Sequence, residues 1–295
     1  MKVLVTGGSG FIGTHLIKAL ESAGHQTCNV DFASQKDSVD ITQPSKLSRV
    51  FGRFRPDVVV HLAALASIPL CETHPVRAYK TNVLGTLHVT KLAKRQKTKL
   101  IFASSAAVYG NPNQLPTPED CPQDPINIYG ATKLAAEYVV RRIAASRFVT
   151  FRIFNAYGSP CNRPYVIPDT IRKIFSGNNP VQMLGTGEES RDFIYIGDVI
   201  EALMRGINTD VTGIYNVGTG MATPIKVIAK KIAQIMGVDA TFVFNDSMRL
   251  GDFKVNMSDI TKIKQKLGWR PNVNLEEGLS ETIRLFEANV GNAMF

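Results

Sequence analysis

The chain is poor in several things, and each shortage narrows what it can be. Only 4 of its 295 residues are cysteine, and Cys28, Cys71, Cys121 and Cys161 stand far apart, with no ligand spacing among themselves or with the 5 histidines. A disulfide framework and a Cys/His metal site are therefore not expected, and the thiols read as free in a reducing compartment. No apolar run approaches a membrane span. The start, Met1-Lys2-Val3-Leu4-Val5-Thr6-Gly7, reaches a glycine turn too soon for a signal peptide. A cytoplasmic protein without a membrane partner is expected. Internal repeats and low-complexity tracts are lacking as well. With 44% apolar and 20% charged residues, the chain suits one large α/β unit plus a smaller appendage rather than a disordered segment.

Aromatic residues make up only 8% of the sequence, and this bears on its basic balance, 34 Lys+Arg against 25 Asp+Glu for a net +9. The densest basic run, Lys91, Lys94, Arg95, Lys97 and Lys99, has no aromatics interleaved and falls at the end of a predicted helix, where cations complement the dipole. Nucleic acid is not the expected partner. Small anionic ligands are, and a dinucleotide or a nucleotide sugar qualifies.

What the chain does have begins at once. Lys2 to Thr6 is a short β-branched run suited to a buried parallel strand, followed by Gly7-Gly8-Ser9-Gly10-Phe11-Ile12-Gly13 and a helix to about Ala23. Glycines at 7, 10 and 13 permit a tight turn, close approach of a pyrophosphate and packing of helix on strand, while free N–H groups at the helix start meet the anion. A second strand, Gln26 to Val30, ends at Asp31, where an acidic residue receives adenosine ribose hydroxyls. Asp31 would repel a 2′-phosphate, so NAD is favoured over NADP.

Further strands are expected at Asp57 to His61, Leu100 to Ala103, Phe148 to Ile153 and Ile214 to Val217, with helices near Pro44 to Phe51, Pro75 to Arg95 and from Tyr129 to Ser146. Alternating strands and helices make an α/β, doubly wound parallel (Rossmann) sheet. Residues 1–156 with 191–220 are expected to form the NAD-binding portion. Residues 157–190 with 221–295 form a smaller mixed α/β substrate-binding portion. His61 reads as a satisfied residue at the end of a buried strand, and Leu62-Ala63-Ala64 is small enough for a cofactor to lie against its backbone. The core stripe of the helix after Tyr129 is read as Leu134, Ala135, Tyr138 and Val139.

Tyr129 and Lys133 lie four residues apart, on one face of that helix. A tyrosine hydroxyl titrates near ~10, and abstracting a proton from a sugar alcohol near neutrality requires roughly 4 kcal/mol of help. One ammonium at ~4 Å, at an effective dielectric of ~20, supplies about that amount. The pair is a candidate base and its activator.

Six motifs in order complete the picture: Thr6 to Gly13, the Ser105 segment Ser104-Ser105-Ala106-Ala107-Val108-Tyr109-Gly110, Tyr129 with Lys133, Phe151-Arg152-Ile153-Phe154-Asn155, Arg191-Asp192-Phe193, and Arg249-Leu250-Gly251-Asp252. Together they resemble the extended short-chain dehydrogenase/reductases, in the NAD-dependent sugar epimerase/dehydratase family, over essentially the whole chain. The resemblance implies that Gly7, Gly10, Phe11, Ile12 and Gly13 line the NAD pyrophosphate, Asp31 its adenosine ribose, and Asp40 with Ile41 its adenine. Leu62, Ala63, Ala64, Asn82, Ser104 and Phe154 would also contact the cofactor, and Lys133 its nicotinamide ribose. Ser105 would hold the sugar 4-hydroxyl and Tyr129 would be the base. Asn155, Arg191, Arg249 and Asp252 would hold the diphosphate of a UDP-hexose, the arginines by forked hydrogen bonding. Seven places after Arg249, Asn256 would wall the sugar pocket, where a residue smaller than tyrosine admits a 2-acetamido group.

The implied reaction is inversion at C4 of a nucleotide sugar of the UDP-glucose/UDP-galactose type, by hydride abstraction and return through a 4-keto intermediate, in a homodimer. Family dehydratases carry an acid and a Glu base directly after the Ser/Thr. Ala106 and Ala107 stand there and cannot move a proton. An NAD(P)H-dependent 4-ketoreductase and a non-catalytic NAD-binding regulator are the alternatives. The connection from Asp31 to Asp40 is shorter than the family usually shows.

Overall fold

Short β-branched strands with apolar residues on both faces build the centre of the molecule. The computed structural model describes residues 1–33, 39–144, 147–161, 165–247, 251 and 253–293. In chain order these form β1 (Lys2–Thr6), α1 (Phe11–Ser22), β2 (Gln26–Val30), α2 (Pro44–Phe54), β3 (Val58–His61), α3 (Ile68–Thr73) and α4 (Pro75–Tyr79). A π-helical turn, Lys80–Gly85, leads into α5 (Thr86–Arg95), β4 (Lys99–Ser105), a 3₁₀ turn (Ala106–Tyr109), α6 (Ile128–Ala144), β5 (Phe148–Ile153) and β6 (Asn155–Tyr157). The rest comprises α7 (Val166–Phe175), β7 (Val181–Met183), β8 (Ser190–Tyr195), α8 (Ile196–Asn208), β9 (Gly213–Val217), β10 (Ala222–Pro224), α9 (Ile225–Ile235), β11 (Phe242–Phe244), α10 (Thr261–Leu267) and α11 (Leu275–Ala293).

Six strands pair in the order β2-β1-β3-β4-β5-β9, all parallel. The order turns back between β1 and β3, the switch point where an open α/β sheet leaves a crevice at its carboxyl ends. Successive residues serve opposite faces: Val3, Val5, Ile101 and Phe151 pack with Leu16 and Leu20 of α1 and Val199 and Leu203 of α8. Leu4, Leu100, Phe102 and Phe148 pack with Phe51 of α2, Val89 of α5 and Val140 of α6. A separate apolar cluster joins Ile171 of α7, Ile228 and Ile232 of α9, and Leu279 and Ile283 of α11. A three-stranded sheet, β10-β8-β6, lies outside the central one, so the segment Arg191 to Tyr195 pairs with β6 and β10.

Two local expectations change. The helix read as Pro75 to Arg95 contains the π-turn at Lys80–Gly85, and α3 precedes it, started by Ser67, whose side chain accepts from Leu70 N. More consequentially, α6 buries Gly130, Thr132, Lys133, Ala136, Glu137 and Val140, while Tyr138 is half exposed. The stripe read as Leu134, Ala135, Tyr138 and Val139 is not the buried one. Apolar periodicity points to the wrong face because the inward face carries a lysine and a glutamate.

Candidate active site

A cavity of about 710 Å³ opens at the carboxyl ends of the central strands, a volume suited to a sizeable organic ligand. Its floor is the turn after β1. Gly7 has φ 75°, and a Cβ there would lie 2.6 Å from Ala63 N; a Cβ on Gly13 would collide with the Gly7 carbonyl. At Gly10, by contrast, a Cβ would meet only Gly7 O, at 3.2 Å, and Gly10 lines the cavity. All three glycines line the cavity, but a Cβ at 7 or 13 would strike the neighbouring backbone, whereas at Gly10 it would reach into the open space in front of the turn. Among the described residues no side chain caps the start of α1, so the N–H groups of its first turn remain donors for an anion beside Phe11 and Ile12, which line the same wall.

Asp31 stands at the end of β2, where its carboxylate accepts from Ser9 N and Ala33 N, both at 3.0 Å. Each oxygen keeps a lone pair for a ribose hydroxyl. Asp40 and Ile41 line the cavity beside it, Asp40 holding Thr42 N at 2.8 Å. Leu62, Ala63 and Ala64 form the next edge, with Ala63 N donating to Thr6 Oγ1 at 3.3 Å. The glycine cradle, the uncapped helix start and Asp31 together fit a dinucleotide.

Asn82 is placed differently. Buried in the π-turn and absent from the cavity wall, its amide is committed to Leu65 N at 2.8 Å and Thr132 Oγ1 at 2.9 Å. It ties the loop before α3 to the start of α6. His61 lies beneath. Thr86 Oγ1 donates its one proton to Asn82 O at 2.5 Å, so toward His61 Nε2, 2.8 Å away, it can only accept. The imidazole therefore carries its proton on Nε2 and accepts at Nδ1 from Thr6 Oγ1 at 2.6 Å. Burial, then the Lys133 charge, pushes His61 down to about 3, so this neutral form persists.

On the facing wall, Asn127 immediately precedes α6, and its Oδ1 accepts from Gly130 N at 2.7 Å. Gly130 is required: a Cβ would collide with the Ala107 carbonyl, and without that approach Tyr129 and Lys133 could not flank the end of β4. Tyr129 and Lys133 both line the cavity, as do Ser104 and Ser105. Lys133 is 4% exposed, and Nζ donates to Ala103 O at 2.8 Å. Burial lowers its pKa from 10.5 to about 8, opposed by Glu137 and Cys71. Ser104 points away from Ser105, donating to Glu137 Oε1 at 2.5 Å. Behind it, Arg152 grips Glu137 through Nε at 2.9 Å and Nη2 at 2.8 Å.

The far end of the cavity carries Phe154, Asn155, Arg191 and Asn256. Arg191, 6% exposed, is held by the Ser190 and Lys254 carbonyls and lies over Phe253. Asn256 Oδ1 accepts from Asp192 N at 2.9 Å and Asn155 Nδ2 at 3.0 Å. Arg249 and Asp252 lie outside the described residues. Lining residues not anticipated from sequence include Phe32, Arg77, Tyr165, Lys173 and Phe253. Ser67-Ile68-Pro69, a cap followed by proline in the first helical turn, was the signal that could have revealed α3 and the neighbouring wall. Among the described residues no group of three or more His, Cys, Asp or Glu could hold a metal ion.

The family profile described as "NAD dependent epimerase/dehydratase family" matches residues 3–218. UDP-glucuronic acid decarboxylase 1 of Xenopus tropicalis is 32% identical, over 97% of this chain and 72% of its own. A solved structure of UDP-glucose 4-epimerase from Thermotoga maritima with UDP-glucose superposes with a TM-score of 0.91 at 33% identity, covering 98% of this chain and 100% of that one. The Thermus thermophilus UDP-glucose 4-epimerase complex with NAD gives a TM-score of 0.89 at 30% identity, covering 97% and 99%.

Proposed function

Because this chain belongs to the NAD dependent epimerase/dehydratase family, we propose that it is an NAD-dependent epimerase inverting C4 of a nucleotide sugar of the UDP-glucose/UDP-galactose type. One observation carries the reading: Ser105, Tyr129 and Lys133 share one cavity with the glycine turn and Asp31. NAD, when bound, supplies the acceptor and donor for the C4 hydride. Tyr129 takes the 4-hydroxyl proton, Ser105 holds that hydroxyl, and the Lys133 ammonium favours the phenolate over the phenol. Asn155 and Arg191, with Arg249 and Asp252, hold the diphosphate; the fixed Arg191 guanidinium at the cavity's far end supports this placement. Asp31 receives the adenosine ribose of the cofactor.

Two finer assignments belong to the same proposal. Residues 1–156 with 191–220 serve NAD and 157–190 with 221–295 the substrate, supported by β9 completing the central sheet and by the separate cluster of α7, α9 and α11. The protein acts as a homodimer in the cytoplasm; no described helix is long and apolar enough to cross a membrane.

A second reading, decarboxylation of a UDP-uronic acid, is favoured by the Xenopus tropicalis relative. The alanines at 106 and 107 disfavour it, since neither supplies a proton beside the reacting sugar. The test is purified protein with UDP-galactose and no added cofactor. UDP-glucose should form, and Tyr129→Phe should abolish turnover while NAD stays bound. Full activity in that variant would sink the assignment of Tyr129. Release of carbon dioxide from UDP-glucuronate, with no epimerisation, would establish the second reading, and stoichiometric NADH oxidation with a ketosugar the reductase.

A further inference from the structure

The inward stripe of α6 carries two charged side chains beside the packed Ala136 and Val140. Lys133 and Glu137 lie one helical turn apart and are 4% and 5% exposed. Glu137 makes three strong contacts: Ser104 Oγ at 2.5 Å, and Arg152 through two nitrogens at 2.8 and 2.9 Å. Arg152 continues through Nη1 to Tyr109 OH at 2.9 Å and Glu119 O at 2.8 Å. Arg152 and Glu137 form a buried ion pair, and Lys133 adds a further positive charge beside it, with Nζ resting on a neutral carbonyl, Ala103 O.

The groups facing Lys133 are few. His61 comes from β3, Cys71 from α3, and Glu137 and Tyr129 from its own helix. His61 is neutral, since burial drives its pKa down. The Cys71 thiol is pushed up by burial and remains protonated. Among the described residues facing Lys133, Glu137 alone is anionic near neutrality. Ser104, which it holds, stands between Ala103, the acceptor of Lys133, and Ser105. One carboxylate therefore reaches the lysine through space and the strand end through a hydrogen bond.

We propose that Glu137 is a positioning residue for the C4 chemistry: it is the counter-charge of the Lys133 ammonium and the tether that fixes the β4 terminus presenting Ser105. Arg152 aims Glu137 by gripping both oxygens, and its own positive charge limits how strongly Glu137 acts on Lys133. The proposal rests on the reading of Tyr129 and Lys133 given above. A Gln at 137 still accepts from Ser104 but carries no charge, so it separates the two parts of the role.

Two measurements test it. The first is the pH dependence of kcat for Glu137→Gln: the alkaline limb, where Lys133 loses its proton, should move to lower pH by about one unit, a tenfold change in proton concentration. The second needs no activity. Lys133 titrates from about 8 in the folded protein against 10.5 unfolded, so its penalty to stability is fully present below about 8 and is relieved as pH rises toward 10.5. The difference in denaturant midpoint between each protein and its Lys133→Met counterpart isolates this rise, and it should begin at lower pH in Glu137→Gln. Should Glu137→Gln fail to fold, Glu137→Gln/Arg152→Met removes the buried pair as a unit and should shift both curves in the same direction by less. A loss of activity equal at every pH, with an unmoved stability curve, overturns the proposal. Wild-type protein silent on UDP-hexoses removes the functional reading, while the stability curve still decides the role of Glu137.

Discussion

Asn155 Nδ2 donates to Asn256 Oδ1 at 3.0 Å, across 101 residues of chain, and the same oxygen accepts from Asp192 N. Both asparagines line the far end of the cavity. The shared oxygen fixes how the Asn256 amide sits, and so gives the pocket wall a definite shape there.

Asn256→Tyr should therefore act in two ways. Losing the acceptor leaves the buried Asp192 N–H without its partner, at a cost of about 1–3 kcal/mol, while Asn155 Nδ2 keeps its bond to Asp192 O at 3.0 Å. The larger ring fills sugar space, so activity on UDP-N-acetylgalactosamine should fall more than activity on UDP-galactose. Side-by-side assays of both substrates on wild type and variant check this; an unchanged ratio removes Asn256 as the gate.

His61 should impose an acid limit on stability. Its folded pKa is about 3 against 6.5 unfolded, so the unfolded chain takes up a proton that the folded one refuses. Stability should fall as pH drops below 6.5, toward a loss of the order of 5 kcal/mol near the lower value. His61→Gln can accept from Thr6 and donate to Thr86 without titrating. Urea unfolding at about pH 7 and about pH 4 should show a smaller acid loss in the variant; equal losses would assign the acid sensitivity to other groups.

The homodimer is open to a direct check. Val76 and Tyr79 of α4, Leu84 of the π-turn and Tyr138 of α6 are exposed apolar side chains on helices that could meet a second copy. Sedimentation at micromolar concentration should return twice the 32.3 kDa chain mass. A mass near 32.3 kDa would count against pairing, whereas Tyr138→Lys with Val76→Lys should split the dimer.

The sequence by itself determined whatever follows from neighbours along the chain. Lys2 to Thr6, the glycines at 7, 10 and 13 and the acid at 31 announce strand, turn, helix and ribose site because each requirement is local. The same holds for Tyr129 and Lys133: helical geometry alone puts residues four apart on one face. Tertiary structure decided which face of α6 turns inward, since the hydrophobic pattern favours Leu134 and Val139, and only the arrival of Arg152 from β5 and Ser104 from β4 makes a buried Glu137 tolerable. It also decided the place of Asn82, whose amide is taken by Leu65 and Thr132, and the partners of His61, drawn from β1 and α5. Buried polar groups need partners, and in this fold those partners come from distant segments that no local pattern names.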